Sequence, residues 1–228
     1  MCLMADIPRP SLTLITDRRL YRPHADKKAD PLSLVEAAIA GGVGIVQLRA
    51  RASQDDLGLY AVAMRLRELT AGRAHFVVTG DLELAEKCRA DGVLLAERSY
   101  KPSEARAFLR GETKMVGAFA HSVPGAGRAE RGGADYVQVG PAFDPEASGA
   151  PDAGLSLLRK VKDAVHIPVI AFGGIRVPEQ VGACIRAGAD GVAVTDAVTR
   201  APDPQAAAAA LRAALDAAWR APRDGQSG

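Results

Sequence analysis

The chain has 228 residues, 48% of them apolar and 25% charged, with a formal net charge of +2. That length and composition allow one sizeable core, and the near-neutral charge gives no electrostatic reason to expect nucleic acid or an acidic membrane as partner. Cys2, Cys88 and Cys184 lie far apart with no C-x-x-C spacing, which argues against a zinc site or a disulfide framework and for a reducing cytoplasm. The opening MCLMADIPRP has an acid and two prolines where a signal peptide needs an apolar run, and no apolar run reaches membrane-spanning length.

In chain order, the apolar, β-prone run 12–16 predicts a first strand, followed by a charged loop over 18–30. Leu34, Val35, Ala38 and Ile39 recur at helical spacing within 31–40, and Gly41 and Gly42 stop that helix. A second strand over 43–48 leads to Arg49 and Arg51, and Ser53 caps a helix reaching about 71, with Asp55 and Asp56 in its first turn. Strand 75–78, helix 82–89, strand 92–95, a helix opened by Pro102 and running to 109, and strand 114–120 follow. A short helix around 127–131 precedes strand 136–139, and a Gly- and Pro-rich loop over 140–153 leads to a helix ending at 164. Strand 169–172, the double-glycine turn Gly173–Gly174, helix 178–187 and strand 191–194 form a βαβ unit. An alanine-rich helix over 204–219 closes the fold, and 220–228 reads as a disordered tail.

The segments AGGVGIVQLR, ADGVLL, GGADYVQVG and AGADGVAV repeat one pattern, a helix-terminating glycine or turn followed directly by a strand. Eight strand–helix pairs in strict alternation predict a single-domain (β/α)8 TIM barrel over 1–219, with an open doubly wound sheet as the alternative.

The active end of such a barrel is where strands end, so the residues just after each strand are the ones to weigh. Thr16 and Asp17, Gln47, Arg49 and Arg51, Thr79 to Asp81, Glu97, His121, Gly173 and Gly174, and Thr195 and Asp196 occupy those places. Arg49 and Arg51 alternate, so both guanidinium groups face the mouth and suit an anion, unless they pair with Asp17 or Asp81. His121 is the only histidine just after a strand and can take and return a proton near neutrality, or it can simply hydrogen-bond across the rim. His24 and His166 fall in loops, and His75 starts a strand on the opposite face. Glycine lets the backbone N–H groups of Gly173 and Gly174 approach an oxyanion such as phosphate, or just makes the turn tight. Asp17, Asp81, Glu97, Asp144 and Asp196 form no recognisable pair for magnesium, so no metal is assigned.

VQLRAR (46–51), GAFAHS (117–122), GADYVQVGPAF (133–143), GLSLL, IPVIAFGGI (167–175) and AGADGVAV resemble, in order and over most of the barrel, the thiamine phosphate synthase and TenI thiazole tautomerase superfamily. The synthase of that family joins a pyrimidine diphosphate to a thiazole phosphate with magnesium. Its pattern resembles Q-L-R-x-K, an Asn-Asp pair after strand three, an Asp after strand four, a Ser two residues before the strand-five His, and a Thr-x-Thr-Lys loop. Here those positions hold Arg51, Thr79–Gly80, Ser99, Phe119 and the stretch Pro145–Glu146–Ala147–Ser148. The losses resemble the tautomerase branch, as does LLAERSYKPSEAR (94–106).

The expectation is therefore a TenI-like thiazole tautomerase, an isomerase of thiamine biosynthesis that aromatises a thiazole carboxylate phosphate and needs no cofactor. The resemblance assigns His121 to proton transfer, Arg49 and Arg51 to the carboxylate, and Gly173, Gly174 and Thr195 to the phosphate, with Gln47 and Thr79 also lining the substrate. The alternatives are thiamine phosphate synthase, with magnesium, and a non-catalytic binder of a thiazole-like anion. The partner implied is a small thiazole phosphate-like molecule, and a homo-oligomer is compatible with the helix faces of small barrels. Asp196 departs from the family's serine beside the phosphate, where a carboxylate is unfavourable unless it is turned away or compensated, with Arg176 in position to do so.

Overall fold

A computed structural model of the protein describes residues 7–16, 32–49, 56–97, 99–109, 115–143 and 153–221. Eight parallel strands close into a barrel in sequence order: β1 (Ser11–Ile15), β2 (Ile45–Arg49), β3 (His75–Thr79), β4 (Gly92–Leu95), β5 (Met115–Ala120), β6 (Tyr136–Val139), β7 (Val169–Phe172) and β8 (Gly191–Val194). The expected (β/α)8 barrel is what forms. The register Ser11↔Gly191 to Leu14↔Val194 joins β8 back to β1 and rules out the open sheet.

Outside the strands lie α1 (Ser33–Ala40), α2 (Asp56–Thr70), α3 (Leu82–Lys87), α4 (Pro102–Phe108), α5 (Val123–Arg131), α6 (Ala153–Ala164), α7 (Pro178–Arg186), the one-turn α8 (Asp196–Thr199) and α9 (Pro204–Arg220). No described helix is long and apolar enough to cross a membrane.

Alternation along each strand sorts side chains into two cores. Leu12, Leu14, Val46, Leu48, Phe76 and Val78 point outward and pack under the helices. Ile15, Ile45, Val77, Leu94, Met115, Tyr136, Ile170 and Ala193 point inward and fill the lumen. Room for the Tyr136 ring comes from Gly117, where any Cβ would collide with it. Full burial, with Asp135 adjacent, pushes the Tyr136 hydroxyl well above the usual tyrosine range.

Three local differences from the sequence expectation stand out. Helix α5 starts at Val123, not near 127, because the Ser122 side chain accepts from Gly125 N (3.2 Å) and Pro124 fits the first turn. Helix α8 is too short to leave a periodic pattern. Arg220 belongs to α9 and not to the tail. The expected cap Ser53 and the loop residues Asp17, His24 and Asp144 lie outside the described residues, as do 222–228.

Candidate functional site

At the C-terminal ends of the strands a cavity of about 680 Å³ opens into the mouth of the barrel, a size that suits small-molecule ligands. Its walls differ in chemistry. Gln47, Arg49 and Thr79, at the ends of β2 and β3, form a polar wall. Ile15, Phe119, Pro141 and Phe172 form an apolar one. Gly173 to Arg176 and Val194 to Asp196 close the far end, between β7 and β8. Of the residues expected at the site, Gln47, Arg49, Thr79, Gly173, Gly174 and Thr195 are brought together around this one space. Arg51 lies outside the described residues.

The double-glycine turn is glycine for two reasons. Both residues have positive φ, +90° at Gly173 and +68° at Gly174, where side chains are rarely tolerated. A Cβ at Gly173 would lie 2.7 Å from Pro141 Cα, and one at Gly174 2.7 Å from the Phe143 carbonyl carbon. The turn is pinned there by Ala142 N donating to Phe172 O (2.8 Å) and Phe143 N to Gly173 O (3.1 Å). The bare backbone so exposed at the cavity end is compatible with an oxyanion.

Asp196 lines the same end but is ion-paired, its Oδ1 3.2 Å from Arg200 Nε one turn later in the chain. Arg176 also lines it, so the carboxylate expected to repel an anion there stands among two cations.

His121 is placed differently from expectation. It follows β5 directly, but it is exposed on the rim and does not line the cavity. Its Nδ1 is 2.7 Å from Gly140 O. A carbonyl only accepts, so Nδ1 carries the proton in the neutral ring and Nε2 is left as the acceptor. The ring stacks on Phe119 (centroids 6.4 Å apart, planes 8° apart) and meets Phe172 edge-on at 5.9 Å. Phe119 and Phe172 contact each other at 5.0 Å, so the histidine is the outermost of three rings descending into the cavity.

Sequence reasoning passed over three contributors. The faces of Phe119 and Phe172 were readable as inward positions on β5 and β7 by alternation. Gln138, an amide in the otherwise apolar strand YVQV, donates through Nε2 to Gln47 Oε1 (2.8 Å) from across the lumen. Gln47 Nε2 in turn donates to Thr79 Oγ1 (3.0 Å).

Among the described residues the donor set does not fit a magnesium ion. Asp81 Oδ1 caps α3 by accepting from Leu84 N (2.8 Å). Glu97 accepts from His121 N (3.3 Å) and pairs with Arg128 (3.4 Å), and Asp196 holds Arg200. No group of three His, Cys, Asp or Glu side chains converges among the described residues.

The family described as thiamine monophosphate synthase matches residues 12–198 of the chain. A thiamine-phosphate synthase of Methanospirillum hungatei is 37% identical over 179 residues, covering 77% of this chain and 85% of that protein. The bifunctional thiamine biosynthesis protein ThiED of Geobacter sulfurreducens is 40% identical over 176 residues, which are 76% of this chain and 35% of that longer protein. Among solved structures, a thiamine phosphate pyrophosphorylase of Pyrococcus furiosus superposes with a TM-score of 0.78 at 32% identity, covering 92% of this chain and 96% of its own.

These relatives overturn the expectation of a TenI-like isomerase. Their names belong to the synthase, a transferase, and their identity runs through nearly the whole barrel. The expectation weighed a handful of loop substitutions above the strands. Two of those positions also do something else here, Thr79 joining an amide chain and Phe119 supplying an aromatic wall.

Proposed function

This chain belongs to the thiamine monophosphate synthase family, and on that premise we propose that it joins a pyrimidine diphosphate to a thiazole phosphate and releases pyrophosphate. The observation that carries the proposal is the one cavity that unites a double-glycine turn, the Arg49 guanidinium and two aromatic rings tilted against each other.

In the proposed reaction the thiazole nitrogen forms a C–N bond to the pyrimidine methylene while the C–O bond to the diphosphate breaks, and both electrons of that bond leave with the pyrophosphate. Charge separates as the C–O bond lengthens, positive on the methylene and negative on the leaving group. Phe119 and Phe172 offer π faces to the positive centre, and Arg49 offers N–H donors to the negative one. Gly173, Gly174 and Thr195 hold the phosphate of the thiazole at the far end, with Arg176 nearby. Holding both rings in one cavity converts a bimolecular encounter into an oriented one. His121, capping the aromatic stack from the rim, fixes the outer face of that wall. Magnesium, if bound with the diphosphate, would offset the charge of the leaving pyrophosphate.

The test is direct. The purified chain, given both substrates in magnesium-containing buffer, should release pyrophosphate and form the coupled phosphate ester in equal amounts. Binding of either substrate without pyrophosphate release would favour a non-catalytic binder and sink the proposal.

A further inference from the structure

Three groups in the barrel interior form one hydrogen-bonded line: Gln138 on β6, Gln47 on β2 and Thr79 on β3. In the closed order of strands β2 and β6 face each other, so the line crosses the lumen. Both glutamines are 1% exposed, yet only Gln47 and Thr79 reach the cavity wall. Gln138 does not line the cavity, so whatever it does for a ligand it does through Gln47.

The line has a direction. Gln138 Nε2 can only donate, so Gln47 turns its Oε1 to it and its own NH2 to Thr79. The oxygen of Thr79 is thereby used as an acceptor, and its own hydrogen is left to donate into the mouth. The second N–H of Gln47 is likewise a donor. With both amides turned over, the unpaired atom at the buried end would be an NH2 group; as built it is an oxygen, Gln138 Oε1, which has no partner among the described residues. A buried unpaired N–H is the rarer and costlier of the two, which favours the polarity seen.

Stability does not explain Gln138. An apolar side chain of similar size would remove its unpaired oxygen while releasing Gln47 Oε1, leaving the number of buried orphans unchanged.

We propose that Gln138 is a positioning residue that sets the hydrogen-bonding polarity of the mouth, holding Gln47 and Thr79 as donors toward an acceptor edge of the substrate's heteroaromatic ring. This rests on the proposed synthase reading for its substrate.

A double-mutant cycle tests it. Gln138→Leu should lower kcat/KM by about tenfold, the worth of one neutral hydrogen bond in the transition state, and should keep the melting temperature within about 2 °C of wild type. On a Gln47→Leu background the same change should do nothing further, because the effect is transmitted through Gln47. Gln138→Glu supplies a pH signature. Ionised, the carboxylate only accepts, so Gln47 turns over and Thr79 becomes an acceptor toward the ligand. Protonated, it donates as the amide did. Activity of that variant should therefore recover toward wild type as pH falls through the carboxyl pKa, which burial raises. Additive losses in the cycle, or a loss of activity matched by a loss of melting temperature, would overturn the proposal.

If the wild-type chain turns over neither substrate, the synthase reading falls alone. The relay is then decided in the free protein by the side-chain amide resonances of Gln47. They move on Gln138→Leu if the two amides are bonded; if they do not move, the relay is refuted.

Discussion

The two ends of this barrel are built on different plans. At the N-terminal end one device recurs. Asp91, Asp135 and Asp190 each stand immediately before an even-numbered strand, and each locks onto the strand before it with two bonds. Their backbone N–H groups donate to Phe76 O (2.8 Å), Val116 O (2.8 Å) and Val169 O (2.7 Å). Their Oδ2 atoms accept from the N–H of those same three residues, at 2.6, 2.7 and 2.9 Å. Each carboxylate also meets a cation from the helix that leads into that earlier strand, Arg67 on α2, Arg106 on α4 and Lys162 on α6. At the C-terminal end no such device recurs among the described residues. The strand ends contribute different chemistry, and the cavity gathers two arginines, Arg49 and Arg176, with one double glycine and one aromatic pair. Repetition at one end sets the cylinder, and that leaves the other end free to differ strand by strand.

If the ends are separable in this way, damage to each should have a distinct signature. The largest effect is expected from Asp135→Ala. Its side chain is 1% exposed, and its loss takes the carboxylate from the Val116 N–H and from the Arg106 guanidinium, which keeps its bond to Gly133 O (2.9 Å). Breaking one side of a buried ion pair costs about 3 kcal/mol, a drop of about 6–12 °C in melting temperature for a chain of this size. Activity per folded molecule should be unchanged. A variant that melts normally but loses turnover would erase the distinction between the ends.

Next in size is Arg49→Met, at the other end. The apolar stem is kept and the charge is lost, so thermal stability should hold within about 1 kcal/mol while kcat/KM falls about 30-fold or more. Initial rates at varied diphosphate concentration, alongside a melting curve, separate the two quantities. A large loss of stability with a proportionate loss of rate would make Arg49 a structural residue instead.

The contrast also governs how much could be read in advance. Strands β4, β6, β7 and β8 begin and end where the sequence places them, because the recurring Ala-Asp or Gly-Ala-Asp pattern marks where three of them start, and residues such as Pro141 and Gly173 follow their ends. The clamp belongs to that legible pattern. The upper end was legible as a set of positions, and Gln47, Arg49, Thr79, Gly173, Gly174 and Thr195 do converge. What each position does was not, since it depends on partners distant in sequence. Gln138 meets Gln47 at a separation of 91 residues, and Asp196 is neutralised by a cation one turn along a helix too short to anticipate. His121 was correctly placed at a strand end, but the Gly140 carbonyl that draws it to the rim could not be seen from spacing.

The smallest expected effect concerns the one place where the lower device is incomplete. In the fourth copy, AGGVGIV, the residue before β2 is Gly44, at the position of Asp91, Asp135 and Asp190. The rest of the copy is present. Gly44 N donates to Leu12 O (3.0 Å), as the aspartates do to Phe76, Val116 and Val169. A cation also stands in the corresponding place, because Arg212 of α9 lies against Gly42 much as Lys162 lies against Gly188, and Arg212 Nη1 donates to Pro10 O (3.0 Å). A Cβ built on Gly44 meets nothing within 4 Å, and its φ lies outside the left-handed region, so a side chain is sterically admissible. Gly44→Asp should therefore complete the clamp by accepting from Leu12 N, and also remove the entropy that glycine adds to the unfolded chain. Together these should raise stability by about 1 kcal/mol, or about 2–4 °C in melting temperature. Gly44→Ala isolates the entropy contribution, so the carboxylate's share is the difference between the two variants. An alanine variant as stable as the aspartate one would mean that the carboxylate adds nothing at this strand. The three existing clamps would then owe their strength to their buried surroundings and not to the motif itself.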